Sequence, residues 1–380
     1  GETMSAKKRL RVGVLFGGRS GEHEVSLASA ASVIRALDPE KYEVVPIGIS
    51  KDGRWLVGTG AEKLLPDVLK SGERVVLPPD PSAAALVPLV GGTGQSSVTI
   101  DVAFPVLHGT FGEDGTIQGL LDLAGLPYVG AGVLGSAVGM DKDVQKRLFE
   151  QAGLPVVPFL AIRRSEWEKD RAAVIKLIKK KLRFPIFVKP ATLGSSVGMT
   201  RVTKPQEIGP AMDLAAEFAL KIVVERGIVG REIEVSVLGN DDVRASIPGE
   251  IVPHREFYDY AAKYLEAGTR LVIPAPLTKK QVAQFQDYAV RSFQAIEGTG
   301  MARCDFFLEK RTGKIFVNEL NTIPGFTSIS MYPKLWEASG LTYSQLIDRL
   351  IELALDLHRE KARTKYSIEL PPGAAGALEG

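Results

Sequence analysis

Ala302-Arg-Cys-Asp-Phe-Phe-Leu-Glu-Lys-Arg-Thr-Gly-Lys-Ile-Phe-Val-Asn-Glu-Leu-Asn321 is the stretch whose reading decides the fold. Two apolar runs, 302–309 and 315–321, flank a polar turn segment centred on Thr312, which is the pattern of a β-hairpin. In that register, residue numbers summing to 624 face each other, so Asp305 lies opposite Glu319 and Arg303 opposite Asn321. Strand alternation puts these four on one face and sends Cys304, Phe306 and Leu320 to the other. Two directly opposed carboxylates repel each other and call for a cation between them. With the Asn321 amide nearby, the oxygen donors suit a hard ion, magnesium, shared with a polyphosphate. The same residues also suit an exposed hairpin facing solvent. The turn-rich Thr322-Ile-Pro-Gly-Phe-Thr-Ser-Ile-Ser330 loop, with amides and hydroxyls to hold an anion, tips the balance toward the cation seat.

Working outward, residues 10–16 form a β-branched run ending in Gly17-Gly18, and residues 25–37 carry helical apolar spacing until Pro39. Further strands at 42–50 and 101–107 point to an open parallel α/β sheet. A charged amphipathic helix at 141–151 opens a second unit, in which strands at 159–162 and 186–189 flank one helix at 165–181. Strands at 222–227, 232–239, 302–309 and 315–321, with helices at 279–296 and 343–358, make a mixed, mostly antiparallel third unit. The uncharged run 123–140 contains five glycines and Pro127 and reads as strand and loop rather than a membrane span. The expected architecture is α/β followed by α+β, with domains at 1–130, 131–225 and 226–380.

The 47 basic and 45 acidic residues leave a net charge of +2, too even a balance for a nucleic-acid-binding face. A lone cysteine, Cys304, excludes an internal disulfide, and residues 10–16 are too short for the core of a secretory leader. A cytoplasmic protein with small-molecule partners, and without nucleic acid or membrane, is expected.

Other segments carry chemistry. Lys189 ends a strand and precedes Leu193-Gly-Ser-Ser-Val-Gly198, a loop whose amides suit phosphate oxygens, although it lacks the P-loop pattern and also reads as a plain flexible turn. Glu225 suits an adenine amino group and Glu232 a ribose, or both are ordinary surface acids. His108-Gly-Thr-Phe-Gly-Glu-Asp-Gly115 follows a strand end, where open α/β sheets place ligands. The Gly17-Gly-Arg-Ser-Gly-Glu22 turn lacks the dinucleotide fingerprint, which disfavours a nicotinamide oxidoreductase, and Glu22 suits an ammonium group instead. Phe257-Tyr-Asp-Tyr-Ala-Ala-Lys-Tyr264 reads as a loop that closes over a site or as an aromatic surface loop.

Together these runs, with Met140-Asp-Lys142 and Val188-Lys-Pro190, resemble the D-alanine:D-alanine ligases of the ATP-grasp superfamily from residue 10 to about 358. The resemblance implies a three-domain ATP-grasp fold, with two α+β domains sandwiching ATP, and synthesis of a cell-wall dipeptide through an acyl phosphate. It implies that Asp305, Glu319 and Asn321 ligate two magnesium or manganese ions, with potassium as a possible further cofactor. Lys142, Lys189, Ser196 and Lys263 would contact phosphates, and Glu225 and Glu232 the nucleoside. Arg303 with the Gly325 amide would hold the oxyanion, Glu22 the first ammonium, and His108 would lie near that substrate's carboxylate. Ser330 and the Met331 amide would take the second carboxylate, while Ser195 and Tyr264 would join Glu22 to fasten the loop. Relatives that build a depsipeptide differ at Tyr264, and this chain departs from several relatives at Ala261 and Gly227-Ile228. A homodimer is also expected. The rival readings are another ATP-grasp ligase with different substrates, and a nucleotide-binding regulator without turnover.

Overall fold

The computed structural model describes residues 8–58, 65–89, 96–194, 196–253 and 269–369. In the first sheet, β1 (Leu10–Gly17) is paired in parallel with β2 (Tyr42–Ile49) on one side. The strands β3 (Trp55–Val57), β4 (Glu73–Val76), β5 (Ala85–Pro88) and β6 (Val98–Thr99) extend the β2 edge by antiparallel pairing. On the other side of β1 lies β7 (Val102–Pro105), also parallel. The sheet is therefore mixed, with the parallel character confined to its β2-β1-β7 end. The cause is local: Ser50 donates its N–H to the Arg54 carbonyl at 2.9 Å, a tight turn that leaves no room for the crossover a parallel neighbour needs.

Residues 123–140 are strand-like and loop only in part, where Tyr128 bridges in parallel to Ala103 of β7. They hold the end of a helix, Thr116–Leu123, a turn at Gly125 with φ of +67°, and a second helix, Val133–Met140. The glycines of that helix serve close packing: a Cβ at Gly135 would lie 2.9 Å from the Glu297 carbonyl, and one at Gly139 3.0 Å from Thr322. The stretch 165–181 is likewise two helices, Arg164–Lys169 and Arg171–Lys181, because the Asp170 carboxylate accepts from the Ala173 N–H at 2.9 Å and starts a new helix.

The second sheet is antiparallel, with β8 (Phe159–Arg163), β9 (Ile186–Pro190), β10 (Thr200–Val202) and β11 (Lys221–Arg226) in the order β10-β9-β11-β8. Ile186, Val188, Ile222 and Val224 pack with helix residues Val174, Ile178 and Met212. Alternation sends Phe187, Lys189 and Glu225 to the opposite face.

The third sheet contains β12 (Gly230–Gly239), β13 (Arg244–Ala245), β14 (Gly249–Val252), β15 (Arg270–Val272), β16 (Gly300–Glu309) and β17 (Ile315–Asn321), all paired antiparallel. One face buries Ile233, Val235, Cys304 and Phe306 against Phe285, Ala289 and Phe293 of the helix Lys279–Ala295. The last helix among the described residues, Tyr343–Lys361, places Leu346, Leu350 and Ile351 in the same core as Val12, Val14 and Val33, so it packs on the first sheet.

In the hairpin, the 624 register holds at the open end, where Arg303 pairs with Asn321, Cys304 with Leu320 and Asp305 with Glu319. Nearer the turn it shifts by one, with Phe306 opposite Val317 and Leu308 opposite Ile315. Asn318 is the extra residue of this β-bulge. The shift has a hydrophobic cause: Ile315, Val317 and Leu320 all enter the core, and the odd step from 317 to 320 requires an inserted residue.

Candidate active site

The polar faces of the second and third sheets enclose a cavity of about 340 Å³ lined by Lys189, Ser196, Glu225, Glu232, Asp305 and Glu319, among others. A narrower pocket continues from it past Lys142 and Asn321 to Glu113, beside the first sheet. The hairpin thus stands between a nucleotide-sized space and the loops at the end of β7.

Arg303 donates Nε and Nη2 to the two carboxylate oxygens of Asp305, both at 2.8 Å, and its Nε lies 3.1 Å from Glu234. Burial would weaken this cation, but Asp305 and Glu234 outweigh it and hold the guanidinium charged. Asn321 donates its amide to Asp305 at 3.2 Å, and Lys142 Nζ sits 3.5 Å from Glu319 and donates to the Leu193 carbonyl at 2.7 Å. The two carboxylates and the amide share one end of the hairpin as its open-end register requires, and as a hard-oxygen donor set they fit a divalent cation.

Glu225, 4% exposed, lies 2.5 Å from Lys189 Nζ through one oxygen and 3.0 Å from Lys146 Nζ through the other. Burial would raise its pKa, yet the two ammonium groups prevail and bring it down to about 2. Ser196 takes a left-handed φ of +59°, the sharp bend of the glycine-serine loop. Ser195, Lys263, Tyr264 and the rest of the 257–264 loop lie outside the described residues.

At the first sheet, Glu22 caps the turn before the helix His23–Ala36, and its carboxylate would collide with a side chain at Gly109, 2.7 Å away, or meet one at Gly194, 3.3 Å away. It therefore sits between the β7 loop and the glycine-serine loop. His108 is buried, with Nδ1 3.0 Å from the Ile323 carbonyl and Nε2 3.1 Å from the Ser29 hydroxyl. Burial lowers its pKa and keeps the ring neutral. Both ring nitrogens are engaged by the protein, so the histidine braces the 322–330 loop against the first sheet. In that loop, Ser330 precedes the helix Met331–Ala338 and accepts from the Thr327 N–H at 3.0 Å, and a Cβ on Gly325 would lie 3.2 Å from its hydroxyl. A helix N-terminus of this kind presents backbone N–H groups to an anion.

Four residues at this site escape a reading of the sequence. Glu113 accepts from the Gly109 N–H at 2.7 Å and the Ile323 N–H at 3.3 Å, linking two loops. Glu234 follows Glu232 by two on β12 and so shares its face, a signal that strand alternation alone provides. Lys146 lies one helical turn beyond Lys142. Asn318 is brought to the cavity by the bulge.

Comparison with known proteins agrees with this geometry. The family model for the D-ala D-ala ligase N-terminus matches residues 11–131, and that for the C-terminus matches residues 148–352. The chain is 52% identical over 353 residues to the D-alanine–D-alanine ligase of Heliobacterium modesticaldum, covering 93% of this chain and 96% of that one. It is 47% identical over 363 residues to the Bacillus cytotoxicus ligase of the same name, covering 95% of this chain and 99% of the relative. Among solved structures, the D-alanine-D-alanine ligase of Coxiella burnetii superposes with a TM-score of 0.83 at 38% identity, covering 94% of this chain and 97% of that one. The VanG D-Ala:D-Ser ligase of Enterococcus faecalis gives 0.82 at 37% identity, covering 91% and 100%. No helix among the described residues is long and apolar enough to cross a membrane. With both family models matched and near-complete relatives at about half identity, the chain belongs to the D-alanine–D-alanine ligase family.

Proposed function

We propose that this chain joins two D-alanines into D-alanyl-D-alanine, with ATP converted to ADP and phosphate, for building a peptidoglycan precursor. The observation that carries the reading is the opposed pair Asp305 and Glu319, flanked by Arg303, at the junction of the nucleotide-sized cavity and the first-sheet loops. A carboxylate oxygen must become a leaving group before an amine can displace it. Transfer of the γ-phosphoryl group to the first carboxylate gives an acyl phosphate. The second amine attacks its carbonyl carbon, and inorganic phosphate departs.

In this reading Glu225 and Glu232 receive the nucleoside, while Lys142, Lys189, Ser196 and Lys263 hold phosphate oxygens. Asp305, Glu319 and Asn321 would hold divalent ions, magnesium or manganese, which when bound offset the charge of the β- and γ-phosphates. Glu22 takes the first ammonium, with the neutral His108 bracing the loop beside that substrate's carboxylate. Ser330 and the Met331 amide take the second carboxylate. Arg303 and the Gly325 N–H stabilise the oxyanion, a role that suits a cation kept charged by Asp305 and Glu234. Ser195 and Tyr264 join Glu22 to close the site against water. Potassium as a further cofactor and a homodimer rest on the family resemblance, and a cytoplasmic location on the lone cysteine, Cys304, and the short apolar run at 10–16.

The test is mass-spectrometric product analysis with ATP and D-alanine, alone and with D-serine or D-lactate. Dipeptide from D-alanine alone is expected, and Tyr264→Phe should raise the depsipeptide share with D-lactate. Absence of dipeptide from D-alanine alone would sink the assignment, and an unchanged product ratio would remove Tyr264 from specificity.

A further inference from the structure

Lys146 has no exposed surface, an unusual place for a lysine unless its charge is used. It is on the helix Lys142–Gln151, and its ammonium reaches two different sheets. One contact is Glu225 Oε2 on β11 at 3.0 Å; the other is a hydrogen bond donated to the carbonyl of Asn318, the bulge residue of β17, at 3.1 Å. Lys189 holds the other oxygen of the same Glu225 at 2.5 Å. Lys189 lines the cavity and Lys146 does not.

Charge counting then separates the two lysines. A Lys189–Glu225 pair alone is neutral, and the contact at 2.5 Å would hold the ammonium back from an incoming phosphate. Burial lowers the pKa of Lys146 against the pull of Glu225; with Lys146 protonated behind the carboxylate, the cluster of two ammonium groups and one carboxylate is net positive, and the cation facing the cavity is Lys189. Removing Lys146 leaves Lys189 to balance the buried Glu225 carboxylate, which then competes with a phosphate for that ammonium.

We propose that Lys146 is a positioning residue of the nucleotide site: its buried ammonium neutralises Glu225 so that Lys189 stays available to phosphates, and it pins the Asn318 bulge next to Glu319. The inference rests on the reading of Lys189 as a phosphate contact. It places no substrate contact on Lys146 itself.

Steady-state kinetics of Lys146→Met, Lys146→Arg and Lys189→Met, each with its melting temperature, test this on the full chain. Lys146→Met should raise KM for ATP about tenfold while KM for D-alanine stays within about twofold. Lys146→Arg, which keeps a buried cation against Glu225 and a donor for the Asn318 carbonyl, should return KM for ATP to within about threefold of wild type. A residue that merely fills space would give no such rescue. Lys146→Gln, which keeps an N–H for the Asn318 carbonyl, replaces the methionine variant if that one does not fold, and the same rise and rescue are expected. A KM for ATP unchanged in Lys146→Met, or a folded Lys146→Arg variant no better than Lys146→Met, overturns the proposal. If Lys189→Met leaves KM for ATP unchanged, the phosphate role of Lys189 fails instead.

Discussion

Arg303 reaches Asp305 and Glu234 at once, and its planar fork is what lets it do so. Arg303→Lys keeps a charge but loses the paired donors, so kcat should fall by about 100-fold or more while the melting temperature changes little, checked by ADP release. A fall in kcat of less than about threefold would count against the oxyanion role. Glu113 makes a separate prediction. Burial, and then the negative charge of Glu22, raise its pKa from 4.5 to about 8 against the two backbone N–H bonds. Because the folded value is the higher one, its contribution to stability is complete below about 4.5 and is lost as pH rises through about 8. In urea denaturation at the two ends of that window, wild type should lose more stability with rising pH than Glu113→Gln; parallel behaviour would contradict the assigned protonation. The Arg303, Asp305, Glu319 face was legible because strand alternation depends on spacing alone. Glu113 was not, since an acid in a glycine-rich loop carries no sign of how deeply the loop will be buried.

At the scale of elements, sequence reading worked where one periodicity ran unbroken and failed where a single residue interrupted it. The even spacing of Ala302, Cys304, Phe306 and Leu308 made β16 plain, whereas the odd step between Val317 and Leu320 was the visible mark of the bulge at Asn318. A hairpin centred on Thr312 therefore gave the right partners at the site and the wrong ones near the turn. Glycine misled at 135 and 139, where it permits close helix packing, whereas Gly125 and Gly130 do lie in the turn and loop between the helices. Apolar spacing also could not reveal the break at Asp170, because a cap acts through one hydrogen bond. Asp170→Ala should cost about 1 kcal/mol of stability with kcat unchanged, measured by chemical denaturation and turnover; an unaltered midpoint would show that the cap contributes nothing.

Across the whole molecule, the site arises where three sheets converge. The second supplies Lys189 and Glu225, the third supplies Arg303, Asp305 and Glu319, and the first contributes Glu22 and His108 through its loops. The C-terminal helix on the first sheet and the His108–Ile323 contact tie these distant parts of the chain together. The family and the α/β to α+β succession were legible from ordered motifs, and both are borne out. Long-range packing, such as Leu350 beside Val14, was not, because nothing local specifies which core a terminal helix joins. The most direct test of the central claim compares wild type with Glu319→Ala for ADP and dipeptide formation from ATP, D-alanine and magnesium, with melting temperature as the control for folding. Turnover in the variant should fall below about one part in 1,000 with the fold retained; dipeptide formation near the wild-type rate would show that the acidic pair is not the seat of the reaction.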